Sequence, residues 1–198
     1  MEQKTDLRIL KTNRAIRETF LSLMYEHGFE SITVKQILDG ALINRSTFYA
    51  HYRDKYDLRD QIEQDLLDGF AACASRSFER NGIQNTPSEA SIKTYLSAML
   101  GYLAENRTLV SYLLGPNGDP AFSSKIGNKT HEVWRELGLL PHLNLPENYA
   151  FAGLSGMVSG ILSEWARSGF HDPKADVIHV LFTLLMNLSQ ALMVYPQE

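Results

Sequence analysis

At 198 residues, with 44% hydrophobic and 21% charged residues, the chain has the apolar content for a real core, as one helical domain or as a small and a medium one. A single cysteine, Cys73, excludes an intrachain disulfide framework and fits a reducing cytoplasm, and the N-terminus, polar until Leu7, lacks the apolar run of a secretory leader. The net charge of −4 divides unevenly: residues 1–60 carry ten Lys and Arg against nine Asp and Glu, and residues 61–198 nine against fourteen.

The first predicted helix spans about residues 7–27, with Ile9, Ile16, Phe20, Leu23 and Met24 on its buried side and Gly28 ending it. Thr33 followed by Gln36 is a capping box, each side chain satisfying a backbone N–H at a helix start. Val34, Ile37 and Leu38 then share one face, and this short helix runs out near Gly40–Ala41. Asn44, a favoured N-cap residue, opens a second short helix. Along it Arg45, Ser46, Thr47, Tyr49 and His51 present hydrogen-bonding groups, while Phe48 and Tyr52, four apart, anchor the other side. One face that packs and one that reaches base edges and phosphates is the division of labour of a helix-turn-helix. Leu42 stands where such turns often need a positive φ, which predicts a somewhat different turn here.

Thr47, Phe48, Tyr49, His51, Tyr52, Lys55 and Leu58 fill a T-[FLY]-Y-x-H-[FY]-x-x-K-x-x-L pattern, and the run resembles the DNA-binding signature of the TetR family of transcriptional regulators. The resemblance covers roughly residues 8–62 and departs at Leu42 and Asn44, where the family usually has Gly and Ser. It implies a double-stranded, palindromic DNA operator as partner. Arg45, Ser46 and Thr47 are assigned to base edges, with Arg45 bidentate to guanine. Thr33, Tyr49, His51 and Lys55 are assigned to phosphates, and Lys35 and Asn44 complete the expected DNA-binding surface. Lys4, Arg8, Lys11, Arg14 and Arg17 add basic groups near the start, and Arg53 one more just after the motif.

Asp54 caps a fourth helix running through Leu58, Ile62, Leu66, Leu67 and Phe70 toward Phe78. After a loop at 81–85, Thr86-Pro87-Ser88-Glu89 reads as a capping box with Pro at the first helical position, opening a helix to about Asn106. Short and longer helices follow at 108–114, about 121–137 and 147–168, separated by Gly- and Pro-containing breaks, and Asp172–Pro173 caps the last one. No segment shows sustained strand alternation. The expectation is an all-α protein: an N-terminal three-helix helix-turn-helix domain at 1–54 and a larger helical sensing and dimerisation domain at 55–198. The stretches 102–122 and 156–173 resemble the C-terminal domain of a family branch common in Gram-positive bacteria. That likeness implies about nine helices, a core sensing a small-molecule or protein effector, and a homodimer through the last two helices. Members of that branch include activators and co-regulators, and the expectation here is an effector-responsive repressor.

Gly153, Gly156, Gly160 and Ser163 form a stripe of small residues on the penultimate helix, where each Gly costs roughly 0.8–1 kcal/mol of helix propensity against Ala. Leu181, Leu184, Leu185 and Leu188 belong to a last helix so apolar all round that it is expected to be covered on more than one side. Both sets are assigned to the dimer interface, with an intrachain core helix as the alternative. His179, Asn187, Ser189 and Gln190 argue against a membrane span at 177–194. Effector-pocket candidates are Tyr95, Met99, Tyr102, Tyr112, Phe122, His131 and Trp134, aromatic walls with a few polar groups, although aromatics at helical spacing equally build cores. No catalytic set, metal-ligand pattern or cofactor motif emerges: the six histidines are scattered, and pairs such as Glu63 and Asp65 sit on different helix faces, expected in solvent. The rival reading is a dimeric helical interaction module that binds another protein rather than DNA.

Overall fold

The computed structural model describes residues 2–79, 88–115, 119, 121–136 and 146–192. Those residues form nine α-helices and no strand: α1 Glu2–His27, α2 Val34–Ala41, α3 Arg45–Tyr49, α4 Lys55–Glu79, α5 Glu89–Glu105, α6 Arg107–Leu113, α7 Phe122–Glu136, α8 Glu147–Arg167 and α9 Lys174–Leu192. The breaks follow local chemistry. Gly28 ends α1 at φ 73°, a conformation that only a residue without Cβ takes freely. A single 3-10 turn at Phe29–Ser31, too short to leave a periodic trace in the sequence, then brings Phe29 into the core. Asp54 Oδ1 accepts the Asp57 N–H at 2.8 Å and caps α4.

Two of the predicted helix starts shift. α1 begins at Glu2, and its first turns run past the core, so Ile9, expected to be buried, is 48% exposed alongside Leu7 and Leu10. α5 is capped by Ser88, whose Oγ accepts the Ser91 N–H at 3.2 Å, rather than by Thr86. A hydroxyl two residues closer to the apolar run supplies the same acceptor. The expected loop at 81–85 and residues 138–145 of that expected at 138–146, with residues 86, 87, 116–118, 120 and 137, lie outside the described residues.

Apolar side chains gather into two cores. The first joins Ile16, Phe20 and Met24 of α1 to Ile37, Leu38, Phe48 and Tyr52, and also to Leu58 and Ile62 of α4. The second begins at Leu66 and Leu67 of the same helix and runs through α5, α7 and α8 to Leu181 of α9. The expected boundary after residue 54 thus falls at the start of α4, whose opening turns pack with the N-terminal core. α4 is one rigid rod serving both. Leu109 of α6 packs against both cores as well, so α4 and α6 are the two mechanical links between the halves.

Candidate nucleic-acid interface

The surface proper is built on α2, the turn and α3. Thr33 Oγ1 accepts the Gln36 N–H at 3.3 Å while Gln36 Oε1 accepts the Thr33 N–H at 2.8 Å, so the capping box read from the sequence is present. At the other end of α2, Leu42 takes φ 54°, ψ 44°, and Ile43 N–H donates back to Leu38 O at 3.1 Å. The expectation of a different turn is therefore corrected. Leu42 adopts the left-handed geometry that Gly usually supplies, because the backbone bond to Leu38 and the burial of Leu38 hold it there. Its own side chain is 91% exposed.

Asn44 then caps α3 with unusual economy: its Oδ1 accepts the Thr47 N–H at 2.8 Å, the Ser46 hydroxyl at 2.7 Å and the Thr47 hydroxyl at 2.8 Å. Phe48 is fully buried and Tyr52 nearly so, and their rings lie 5.8 Å apart, so the apolar side of α3 is pinned as the spacing predicted. Thr33, Lys35, Asn44, Arg45, Ser46 and Tyr49 are exposed, and Thr47 and His51 half-buried, on the segment from the start of α2 to the end of α3. Among the described residues Arg45 makes no hydrogen bond or ion pair.

Lys55 stands apart from this group. Its Nζ donates to the carbonyl oxygens of Phe29 and Glu30 at 3.1 and 3.0 Å and lies 4.7 Å from the Phe29 ring centroid. Expected at a phosphate, it instead ties the start of α4 to the 3-10 turn, sharing the Phe29 carbonyl with the Ile32 N–H. Arg17, counted among the basic residues near the start, is likewise engaged inside: its Nε donates to the Tyr52 hydroxyl at 3.1 Å and its Nη2 meets Asp65 Oδ2 at 2.5 Å. The Tyr52 hydroxyl donates in turn to Asn13 Oδ1. Nothing in local spacing signals this tie, because its members lie on α1, the end of the motif and α4.

The remaining assignments separate. Tyr95, Met99 and Trp134 line an apolar cavity of about 20 Å³ in the second core, room for about one water molecule. Tyr95 accepts the Trp134 Nε1–H at 3.0 Å, and burial pushes its hydroxyl pKa up. Phe122 is fully buried core, Tyr112 packs edge-on to Tyr25 of α1 at 5.1 Å, and His131 stacks on Phe151 near Glu147, so these three do not join that cavity. Tyr102 lines a different space, a cleft of about 180 Å³ bordered by Arg17, Ile62, Asp65 and Leu109.

Of the residues assigned to a dimer interface, Gly153, Gly156 and Gly160 are exposed, and a Cβ on any of them would meet nothing within 4 Å. Ser163 is half-buried beside them, Leu184 is 41% exposed, and Leu185 and Leu188 are half-buried. Leu181 is 1% exposed and belongs to the protomer's own core, a correction that follows from its position facing α5 and α8. No helix among the described residues is long and apolar enough to cross a membrane.

Glu63 also departs from expectation. Rather than lying in solvent it is 1% exposed, with Lys125 Nζ at 2.5 Å from Oε2 and Arg59 Nε at 3.6 Å from Oε1. Lys125 bridges onward to Asp119 at 2.9 Å, and the Arg59 guanidinium lies 4.5 Å from the Phe29 ring centroid. Burial pushes the Glu63 carboxyl above its ordinary value, against the opposing pull of Lys125.

Two short capped helices, locked across a left-handed turn on a three-helix core and joined by one rod to a larger helical domain, define a helix-turn-helix protein. Residues 16–62 match the family model for bacterial regulatory proteins of the tetR family. That segment, the helix-turn-helix, is what the chain shares with the tetR family model. The chain is 29% identical over 115 residues to YxbF, an uncharacterized HTH-type transcriptional regulator of Bacillus subtilis; the match spans 57% of this chain and 28% of that relative. The fold is that of a TetR transcriptional regulator from Streptococcus agalactiae, with TM-score 0.67, 24% identity, and 93% of this chain and 99% of that one covered. A TetR family regulator from Marinobacter aquaeolei superposes with TM-score 0.62 at 16% identity, covering 95% and 98% of the two chains.

Proposed function

We propose that the protein is a sequence-specific DNA-binding transcriptional regulator, an effector-responsive repressor that acts as a homodimer in the cytoplasm. The observation that carries this reading is Arg45: an exposed guanidinium with no partner among the described residues, on the first turn of a helix whose cap and buried Phe48 fix its direction. A fork of five donors held out in this way suits O6 and N7 of guanine in the major groove. Ser46 and Thr47 give their hydroxyl protons to Asn44 and so face a base with acceptor lone pairs. Thr33, Lys35, Tyr49 and His51 flank them and would hold phosphates, fixing register without reading sequence.

The open glycine stripe of α8, with exposed Val180 and Leu184 on α9, supports pairing of two copies, since small residues let helix backbones approach closely. Two recognition helices related by a two-fold axis would read half-sites one helical turn or a multiple apart. Gel retardation of DNA flanking the gene, over a salt series, tests the reading. A specific complex whose affinity falls linearly with the logarithm of salt is expected. The absence of any specific complex would favour the protein-binding module instead.

A further inference from the structure

We propose that the open cleft between α1, α4, α5 and α6 is a binding site for a small monocarboxylate, whose carboxylate takes the place of Asp65 on Arg17. The cleft measures about 180 Å³, and an apolar cavity of about 150 Å³ accommodates benzene, so a body of roughly six carbons fits. Leu21, Ile62, Leu66 and Leu109 supply its apolar walls, and Arg17, Asp65, Tyr102 and Asn106 its polar groups. The two charges are unequal in setting. The Arg17 side chain is 26% exposed and also held by Tyr52, whereas Asp65 is 60% exposed and is bound to Arg17 at one oxygen.

That asymmetry selects the ligand's charge. A carboxylate entering the cleft meets a fixed, half-buried guanidinium and displaces a partner that returns readily to water. An amine would have to displace Arg17 itself, leaving a guanidinium beside a second cation in a partly dry site. Leu109 touches both cores, so an occupant here contacts the junction through which the two halves are joined. Exchanging Asp65 for ligand releases α4 from α1 while Arg17 keeps its hold on Tyr52. The consequence for operator affinity rests on the regulator reading; the binding does not.

The test is a titration of the full chain, labelled at Ile, Leu and Met methyl groups, with benzoate, benzylamine and benzyl alcohol, followed by NMR. Saturable benzoate shifts centred on Ile62, Leu21 and Leu109, absent with benzylamine, are expected. Asp65→Asn removes the competing carboxylate and should tighten benzoate by roughly two- to fivefold, the worth of an exposed ion pair. Arg17→Met should abolish the shifts, and because Asp65→Asn alters an exposed residue, it carries the test should the Arg17 variant fail to fold. Equal or tighter binding of benzylamine, shifts centred on Met99 and Leu181, or weaker benzoate binding by Asp65→Asn would overturn the proposal. No DNA is present in the titration, so its result stands apart from whether the chain binds an operator.

Discussion

Arg17 and Tyr52, 35 residues apart in sequence, meet beside the first core, with Arg17 Nε donating to the Tyr52 hydroxyl at 3.1 Å. The same hydroxyl donates to Asn13, so the residue that closes the recognition segment is latched to α1 at two points. Replacing Tyr52 by Phe keeps the ring packing and deletes both bonds. Leaving part-buried partners unmatched costs about 1–3 kcal/mol. For a chain of this size each kcal/mol lowers the melting temperature by roughly 2–4 °C. Thermal denaturation should record that loss, and an unchanged midpoint would show the latch to be idle.

Leu42 makes the opposite prediction. An L-residue with a Cβ in the left-handed region carries a strain of roughly 1–2 kcal/mol, and this side chain, almost wholly in solvent, gains little in return. Leu42→Gly relieves the strain but adds backbone freedom to the unfolded chain, so the net gain should be about 0.5–1 kcal/mol. Urea denaturation would show a higher midpoint with the same slope. A lower midpoint would mean that the leucine makes a stabilising contact.

What could be read from the sequence here was what is local. The cap at Thr33, the cap at Asn44, the pinning pair Phe48 and Tyr52, and the stop at Gly28 depend on residues within a few positions of one another, and each takes the expected form. The internal role of Lys55 escapes local reading because its two carbonyl partners lie 25 and 26 residues earlier, in a turn without periodicity. The burial of Glu63 escapes local reading for the same reason: its cationic partner Lys125 is 62 residues away. Leu181 lies on a helix apolar on all sides, so the pattern gave burial but not which neighbour covers it.

The burial of Glu63 gives stability a particular pH dependence. The ordinary glutamate value is 4.5, and the folded state raises it. A raised carboxyl takes up its proton in the folded chain while the unfolded chain is still ionised, so the cost of burying its charge is absent below 4.5 and fully present above the folded value. Wild type should therefore gain stability relative to Glu63→Gln as pH falls toward 4.5. Chemical denaturation of both proteins across that fall in pH measures the difference. A gap that moves the other way would place the Glu63 pKa below the ordinary value.

On α8, Gly156→Leu places a side chain where the protomer has open space, and raises helix propensity by roughly 0.8 kcal/mol. The protomer should fold with unchanged helicity by circular dichroism. Sedimentation should show wild type as a dimer and the variant shifted to monomer. A variant that remains fully dimeric would move the interface away from the glycine stripe.

The central claim, that α3 presents Arg45 to a DNA operator while Lys55 serves the fold, is tested most directly by one fluorescence-anisotropy experiment. Wild type, Arg45→Ala and Lys55→Met are titrated against DNA flanking the gene, and against single-base variants of the bound site, over a salt series. The account predicts that Arg45→Ala loses ~1–3 kcal/mol and relaxes preference at one operator position. Lys55→Met should melt at a lower temperature yet keep the wild-type salt slope. An unchanged base preference for Arg45→Ala, or a slope flattened by about one unit for Lys55→Met, would contradict it.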